Sequence, residues 1–409
     1  MFTHMSFPKL EMPEFDFRPS WHQLIVVGNG FDLECGLKSG FGSFLDARKE
    51  AFKLADDDLD AGEAHFRKTL WDLVLGSLEG SNWCDVEGAI RRWLVGSDVD
   101  ELENAGALMD EVLESLIRLN SACGIEPLPE IAPVYYFLDR TQGEAAIWSR
   151  KKLLERTMAD LHALERDFAA YLHEEIGIRR EYSGNASRLM ANLLRDSRVS
   201  EKDFKVESSV LSFNYTTPFA SVDSYGLHVP VVNIHGALRD GDAGGENIVF
   251  GIDGTGLLGD SDIMPFTKTY RIMSLGTGDG GELVHIPPAN GNQDFGTSLI
   301  KFYGHSLARA DYSYFQAIFD AVRLYEGDVR LIFYYRRHSR GEISPEAEVE
   351  ELAGIRTATM KQVIALLNAY GDTLDNKDHG RNLIHKLLIE GRLTVMELPD
   401  YEADSDVAV

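Results

Sequence analysis

The chain has 409 residues, 44% of them hydrophobic, and its 66 acidic residues outnumber the 40 basic ones to give a formal net charge of −26. This charge disfavours nucleic acid and anionic membranes unless a local basic patch exists; the run Arg336, Arg337, His338 and Arg340 is the best candidate, although such runs are usually solvated strand ends. The three cysteines are an odd number without a C-x-x-C pair, which argues against a disulfide framework and a zinc ribbon.

The N-terminal segment MFTHMSFPKLEMPEFDF lacks the basic start and apolar core of a signal peptide. Nowhere further along do about 18 apolar residues follow one another, as a membrane-spanning helix would require. We therefore expect a cytoplasmic protein without a membrane partner.

A first strand is predicted at residues 23–28, QLIVVG, because the run is short, apolar and rich in β-branched side chains. It leads into the turn Gly28-Asn29-Gly30-Phe31-Asp32, and a helix is predicted over 43–54. A strand that ends in G-x-G before a helix lets the backbone approach a phosphate. Leu33 stands where the dinucleotide fingerprint has its third glycine, so a plain tight turn without a ligand stays open. Asp32 would bond a ribose hydroxyl or cap the following helix.

Residues 60–200 show long amphipathic patterns, and the apolar stripes in 101–120 and 151–176 predict packed helices. Just before a helix in this block, the sequence SNWCDVEG carries Asp85 and Glu87. Two carboxylates could bind a metal or exchange protons, but two ligands do not define a metal site, and acidic residues are common at helix N-termini.

Strand patterns return in the second half of the chain, at 207–214, 230–235, 247–252, 298–303 and 329–335, and in the late segment LTVMEL. Helices are predicted over about 346–369 and 381–390, while 253–297 is predicted to be a long irregular segment. Strands that alternate with helices indicate a parallel sheet covered on both faces. We expect an α/β, Rossmann-like domain formed by 22–55 and 205–409, with a helical insertion at 56–204 after the first β-α unit.

Two of these strands end in polar side chains. Asn214 has an amide that can orient a water or a sugar hydroxyl, and His235 is of the type that exchanges protons near neutral pH. Each residue alone is explained as well by a structural role in a turn or in the core. Because the carboxyl ends of parallel strands meet at one edge, the glycine turn, Asn214 and His235 could share one cleft.

The segment SLIKFYGHSLARADYSYFQAIF predicts a strand, a sharp turn and a helix. Its turn, residues 304–308, is similar to the G-x-S-x-G elbow of serine hydrolases, with Ser306 as nucleophile, but Ala308 replaces the last glycine. His379 or His385 and a late aspartate would have to complete the triad, and no such pair stands out. A turn that lines a nucleotide pocket with Ser306 and backbone amides fits as well.

Several short segments occur together in an order that resembles the bacterial abortive-infection AbiH family. They are VVGNGFDLECGL, NWCDVEG, LSFNYTTPF, NIHGAL, IVFGID and YGHSLARADYSYF, and they span about 24 to 335. The resemblance implies a role in anti-phage defence, in which the infected cell shuts down. It leaves open a phage-derived trigger or partner protein and a homo-oligomer.

A more distant resemblance is to the sirtuin-like NAD-binding fold, with its glycine turn, small SG-aliphatic element, strand-end Asn, His-Gly pair and later phosphate turn. The resemblance implies Asn214 and His235 as catalytic residues. It implies as nucleotide-binding residues Gly28, Asn29, Gly30, Phe31, Asp32, Tyr215, Gly236, Asp253, Gly304, His305, Ser306 and Asp311. Asn29 and Asp32 depart from the sirtuin pattern, and the zinc ribbon is missing, so a protein deacylase is not expected.

The resemblance therefore implies an NAD glycohydrolase that takes NAD or a related nucleotide as substrate or ligand and needs no metal. Two other classes stay open: a nucleotide sensor that binds without hydrolysis, and a metal-dependent RNase that uses Asp85 and Glu87.

Overall fold

The computed structural model of the chain describes residues 18–57, 68–76, 83–96, 107–120, 128–129, 131–141, 148–218, 229–238, 247–254, 256–257, 259–275, 283–286, 296–337 and 344–400. Its strands are β1 (Ser20–Val27), β2 (Lys205–Ser212), β3 (Val231–Asn233), β4 (Thr297–Tyr303), β5 (Arg330–Tyr335) and β6 (Leu393–Glu397). They form one parallel sheet in the order β3-β2-β1-β4-β5-β6. This order is that of doubly wound dinucleotide-binding folds, and the predicted Rossmann-like α/β class is confirmed.

The described helices cover both faces of this sheet. They are α1 (Asn29–Glu34), α2 (Phe41–Asp57), α3 (Leu70–Val74), α4 (Trp83–Leu94), α5 (Leu108–Asn120), α6 (Ala132–Thr141), α7 (Arg150–Ile178), α8 (Tyr182–Arg195), α9 (Lys268–Ser274), α10 (Tyr312–Ala321), α11 (Pro345–Thr373) and α12 (Lys377–Ile389). Leu24 and Val26 of β1 pack with α10, α11 and α12, whereas Ile25 and Val27 pack with α8. Alternate residues of a strand point to opposite faces, so a strand covered on both sides is apolar throughout.

The helices α3 to α7 form a second core together with α2. It contains the buried side chains of Phe44, Trp71, Trp93 and Phe168. Helix α8 lies in the predicted insertion by its sequence position, but its side chains pack on the sheet. Of the described helices in the predicted insertion, α3 to α7 thus pack with α2 and with the segment 248–266, whereas α8 packs on the sheet.

Two local expectations were wrong. The segment 247–252 is not a strand within the described residues, since its one bridge joins Ile252 to Thr267. Side chains pair with the backbone of Phe250, whose amide donates to Glu165 of α7 and whose carbonyl accepts from Arg271 of α9, each at 2.6 Å, while Val249 and Ile252 bond to backbone groups outside the sheet. The second expectation concerned the region 253–297, which was predicted to be irregular but contains α9 and a 3-10 turn at Met264–Phe266.

The carboxyl ends of the strands are aligned in one row across the sheet. Val27 is paired with Ser212 on one side and with Tyr303 on the other; Ser212 is paired with Asn233, and Tyr303 with Tyr334. Every residue that follows one of these ends by one or two positions is therefore placed along the same edge.

Candidate functional site

A cavity of about 580 Å³ opens at this edge, where the order of strands reverses between β1 and β4. Chains that leave neighbouring strands in opposite directions create a crevice at such a point, which is where open α/β sheets bind ligands. The turns after β1, β2, β4 and β5 and His235 after β3 line the cavity. The sequence prediction that one cleft collects the glycine turn, Asn214 and His235 is confirmed as a placement.

The two glycine turns hold each other. The Gly28 amide donates to the Tyr303 carbonyl at 3.1 Å, and the Gly30 amide donates to the Gly304 carbonyl at 2.7 Å. A Cβ on Gly30 would lie 2.7 Å from the Gly304 Cα, so neither turn has room for a larger residue. These glycines are thus needed for contact between the turns, and the amides of Gly28 and Gly30 already have partners. That both turns contact phosphates stays a prediction.

Asp32 lies inside α1, whose N-cap is Gly28, and the helix predicted to follow the turn begins only at Phe41, so the alternative that Asp32 caps that helix was wrong. Its carboxylate accepts hydrogen bonds of 2.8 Å from the Tyr182 hydroxyl and the Thr216 hydroxyl. Burial raises the pKa of Asp32 to about 6, and these hydrogen bonds and the nearby Asn214 amide oppose the rise. Asp32 lines the cavity as a carboxylate fixed from both sides.

Asn214 is held in place by its backbone, while its side chain is left available. The side-chain amide of Asn233, the last residue of β3, donates to the backbone carbonyls of Asn214 and Thr216, at 2.7 and 2.9 Å. The Asn214 amide lies close enough to the Asp32 carboxylate to lower its pKa, but neither the nitrogen nor the oxygen of this amide meets hydrogen-bond geometry with a described residue. An unpaired buried polar group costs about 1–3 kcal/mol, a cost that a bound ligand would remove.

His235 faces the same cavity from β3. Its Nε2 lies 3.5 Å from Asp311 Oδ1 and makes no hydrogen bond within the described part of the chain. Burial lowers the pKa of His235 to about 3, and Lys268 adds to the effect, so the ring is neutral at pH 7. Gly236 has φ 83°, and a Cβ there would lie 1.6 Å from the Asn247 carbonyl oxygen. The His-Gly pair therefore lets the chain turn against segment 247–250.

A charged cluster lies beside His235. The Lys268 ammonium of α9 is 2.5 Å from Glu87 Oε1 of α4 and 2.8 Å from Asp311 Oδ1, and His305 Nε2 is 3.4 Å from Asp311 Oδ2. Lys268 holds the pKa of Asp311 well below its usual range, while burial raises the pKa of Glu87 to about 7. The second carboxylate oxygen of Glu87 is buried at the cavity without a hydrogen bond to a described residue.

The remaining predicted residues have different places. Tyr215 and the residues Asn29 and Ser306 line the cavity, and Ser39 donates to the Asn29 side chain at 2.5 Å. Phe31 is instead fully buried against Tyr303. Gly236 and Asp253 are not among the described residues that line the cavity.

Sequence reasoning missed Lys268, Thr216 and Asn233 as parts of the site, and it named Arg336 only as a member of a basic run. Arg336, two positions after Tyr334 in the row of strand ends, lines the cavity and pairs with the exposed Asp400. The basic run marked Arg336 as a possible anion contact, but only the strand register places it at the cavity. Glu87 was noticed as half of a carboxylate pair, whereas the structure groups it with Lys268; the Asp85 side chain lies outside the described residues.

One of the rival readings, the serine hydrolase, is less well supported by the geometry. Ser306 follows β4 at the cavity edge, whereas His379 stacks on Tyr325, which precedes β5, with ring centroids 4.1 Å apart. His379 thus lies toward the edge of the sheet opposite Ser306, and a triad with His379 or His385 stays a prediction. Of the two carboxylates named for a metal-dependent RNase, Glu87 pairs with Lys268, and the Asp85 side chain lies outside the described residues.

The comparisons with known proteins agree with the ordered segments. A model of the family described as "Bacteriophage abortive infection AbiH" matches residues 24–335, a range that runs from within β1 to the end of β5 and includes Asn214, His235 and the turns after β1 and β4. Neither a curated protein nor a solved structure matches the chain. Across the described residues every helix is too short or too polar to serve as a bilayer span. Because the match covers most of its length, the chain belongs to the bacteriophage abortive infection AbiH family, a family of phage defence.

Proposed function

We propose that the chain binds NAD or a related dinucleotide in the cavity and hydrolyses its nicotinamide–ribose bond as its part in abortive infection. The supporting observation is that Asn214 and His235 line a cavity at the switch point of a doubly wound sheet, and that their buried side-chain polar atoms complete no hydrogen bond within the described residues. Such a position suits a nucleotide, and polar atoms that folding leaves unpaired suit a ligand with hydroxyl groups.

Cleavage of the glycosidic bond passes through a sugar with oxocarbenium character, so the site must hold the ribose, stabilise positive charge and admit one water. Asn214 would hold the ribose diol or the water. His235, whose ring is neutral at pH 7, would accept a hydrogen bond from a ribose hydroxyl. The carboxylates of Asp32 and Asp311 would supply the negative field near the sugar.

The other end of the cavity suits phosphate. Arg336 is the one arginine or lysine among the described residues that line the cavity. Asn214 follows β2 and Arg336 follows β5, and three inter-strand spacings separate them by about 14 Å. A ligand that reaches both residues must extend well beyond a single nucleoside, which favours a dinucleotide.

The first experiment mixes purified protein with NAD and measures nicotinamide and ADP-ribose by chromatography. Asn214→Ala and His235→Ala should fold normally and lose turnover by about a hundredfold or more. Asn382→Ala and His379→Ala are the matched controls, because both residues contact Tyr325 away from the cavity and should cleave NAD like the wild type.

The outcome also separates the competing functions. Full activity in Asn214→Ala or His235→Ala would remove that residue from the mechanism. Tight NAD binding without product, in buffer and in lysate of infected cells, would instead support a nucleotide sensor. RNA cleavage that requires a divalent metal and is lost in Asp85→Ala would support the nuclease.

A further inference from the structure

Glu87 has no role in the mechanism proposed above, although its position is unusual. It belongs to α4 of the inserted helices rather than to the sheet, yet its side chain reaches the cavity. Lys268 holds one carboxylate oxygen at 2.5 Å, and the other oxygen is buried at the cavity with no hydrogen bond to a described residue. We propose that Glu87 is a catalytic residue of the proposed hydrolysis, on which this inference rests, and that its carboxylate accepts the proton of the attacking water.

Glu87 suits this task better than His235 does. A general base works best when its pKa lies near the working pH. Burial raises the pKa of Glu87 to about 7, with Lys268 opposing the rise and Asp311 and Asp253 adding to it. Burial and Lys268 lower the pKa of His235 to about 3, which leaves its ring a hydrogen-bond acceptor that takes up a proton poorly.

The proton balance of the reaction defines the role. The bond between the ribose C1′ and the nicotinamide nitrogen breaks, and its electron pair neutralises the pyridinium ring, so the leaving group needs no proton. The water oxygen forms a new bond to C1′ and must lose one proton, which Glu87 takes and later releases to solvent. A pyridine base that attacks C1′ through its ring nitrogen has no proton to lose.

This difference provides the test. Wild type and Glu87→Gln are incubated with NAD and 3-acetylpyridine, and ADP-ribose is measured beside the dinucleotide that carries acetylpyridine. Glu87→Gln should lose hydrolysis by about a hundredfold while base exchange stays within about fivefold of the wild type. The retained base exchange shows that the variant is folded. Glu114→Gln, an exposed change on α5, is the control and should leave both reactions unchanged.

A pH profile supplies the second readout. The groups that face Glu87 are Lys268, Asp311, Asp253, Tyr215 and Tyr314. Hydrolysis by the wild type should decline below about pH 7 as Glu87 takes up a proton, and the residual hydrolysis of Glu87→Gln should lack this decline. Glu87→Asp retains a carboxylate and should recover part of the lost hydrolysis.

Each result decides one question. Hydrolysis by Glu87→Gln within about threefold of the wild type would overturn the role of Glu87, and so would an equal loss of hydrolysis and base exchange. If the wild type shows no base exchange, Glu87→Asp decides the question. Hydrolysis by Glu87→Asp no faster than that by Glu87→Gln would then overturn the role of Glu87. No nicotinamide release from the wild type under any condition would overturn the proposed function itself, and the role of Glu87 with it.

Discussion

The amide nitrogen of Gly30 lies 2.7 Å from the carbonyl oxygen of Gly304, and this hydrogen bond joins the turn after β1 to the turn after β4. Gly304 has φ 68°, and a Cβ on it would lie 2.4 Å from the Phe31 nitrogen. We expect Gly304→Ala to lower the free energy of unfolding by about 1–3 kcal/mol and to weaken nucleotide binding, because the turns must separate. Chemical denaturation and calorimetric titration with NAD measure the two effects.

Two other glycines separate the causes. Gly36 has φ 91°, and a Cβ added to it would have no other atom within 4 Å, so Gly36→Ala carries the backbone strain without the clash. Gly40 has open space and no positive φ, so Gly40→Ala should be nearly neutral. A Gly304→Ala protein as stable as the Gly40→Ala protein would show that the turns do not depend on their close contact.

The parts of the fold that the sequence predicts are those with a local signal. The apolar run of β1 indicated a strand buried on both faces, and Asn214 and His235 were placed together because parallel strands share an edge. In the structure, the paired ends of β1, β2 and β3 place both residues along one edge of the sheet.

The parts that could not be predicted depend on contacts between distant segments. The apolar run 247–252 resembles a strand, yet Glu165 and Arg271 pair with the backbone of its Phe250 from 85 and 21 residues away. In the same way, Glu87 and Lys268 are far apart in sequence and meet because an inserted helix reaches the sheet edge. No period of apolar residues records such a pairing.

A buried lysine on the face of the sheet that α8 covers makes the free energy of unfolding depend on pH. Lys301 of β4 is fully buried, its ammonium donates to the Leu193 carbonyl of α8, and burial lowers its pKa to about 7 against the opposing field of Asp196. The unfolded chain keeps this proton to about pH 10.5, so it binds more protons than the folded chain above pH 7 and stability rises with pH there. Relative to Lys301→Met, the wild type should gain about 2 kcal/mol between pH 7 and pH 9.

Urea denaturation of both proteins across this range measures the difference, and the exposed Lys361 provides the control Lys361→Met. The wild type and Lys361→Met should change in parallel, while Lys301→Met should lack the rise. Parallel curves for all three proteins would mean that Lys301 stays charged in the folded chain.

Arg336 should determine how strongly the site prefers ligands that carry phosphate. The loss of a hydrogen bond to a charged group costs about 1.5–3 kcal/mol, so Arg336→Gln should weaken binding of ADP-ribose by about ten- to a hundredfold. Nicotinamide riboside has no phosphate, and its affinity should not change. Arg337→Gln is the matched control, because Arg337 pairs with Glu348 at 3.1 Å and is not among the described residues that line the cavity.

A change at Asp400, the partner of Arg336, should strengthen the contact between Arg336 and a ligand phosphate. The exposed Asp400 carboxylate pairs with Arg336, so it competes with a phosphate for the guanidinium. Asp400→Asn should therefore tighten ADP-ribose binding, and raising the salt concentration should reduce the gain because it screens exposed charges. Calorimetric titrations of wild type, Arg336→Gln and Asp400→Asn measure all three affinities. Equal loss of riboside and ADP-ribose binding in Arg336→Gln would show that Arg336 shapes the cavity instead of contacting phosphate.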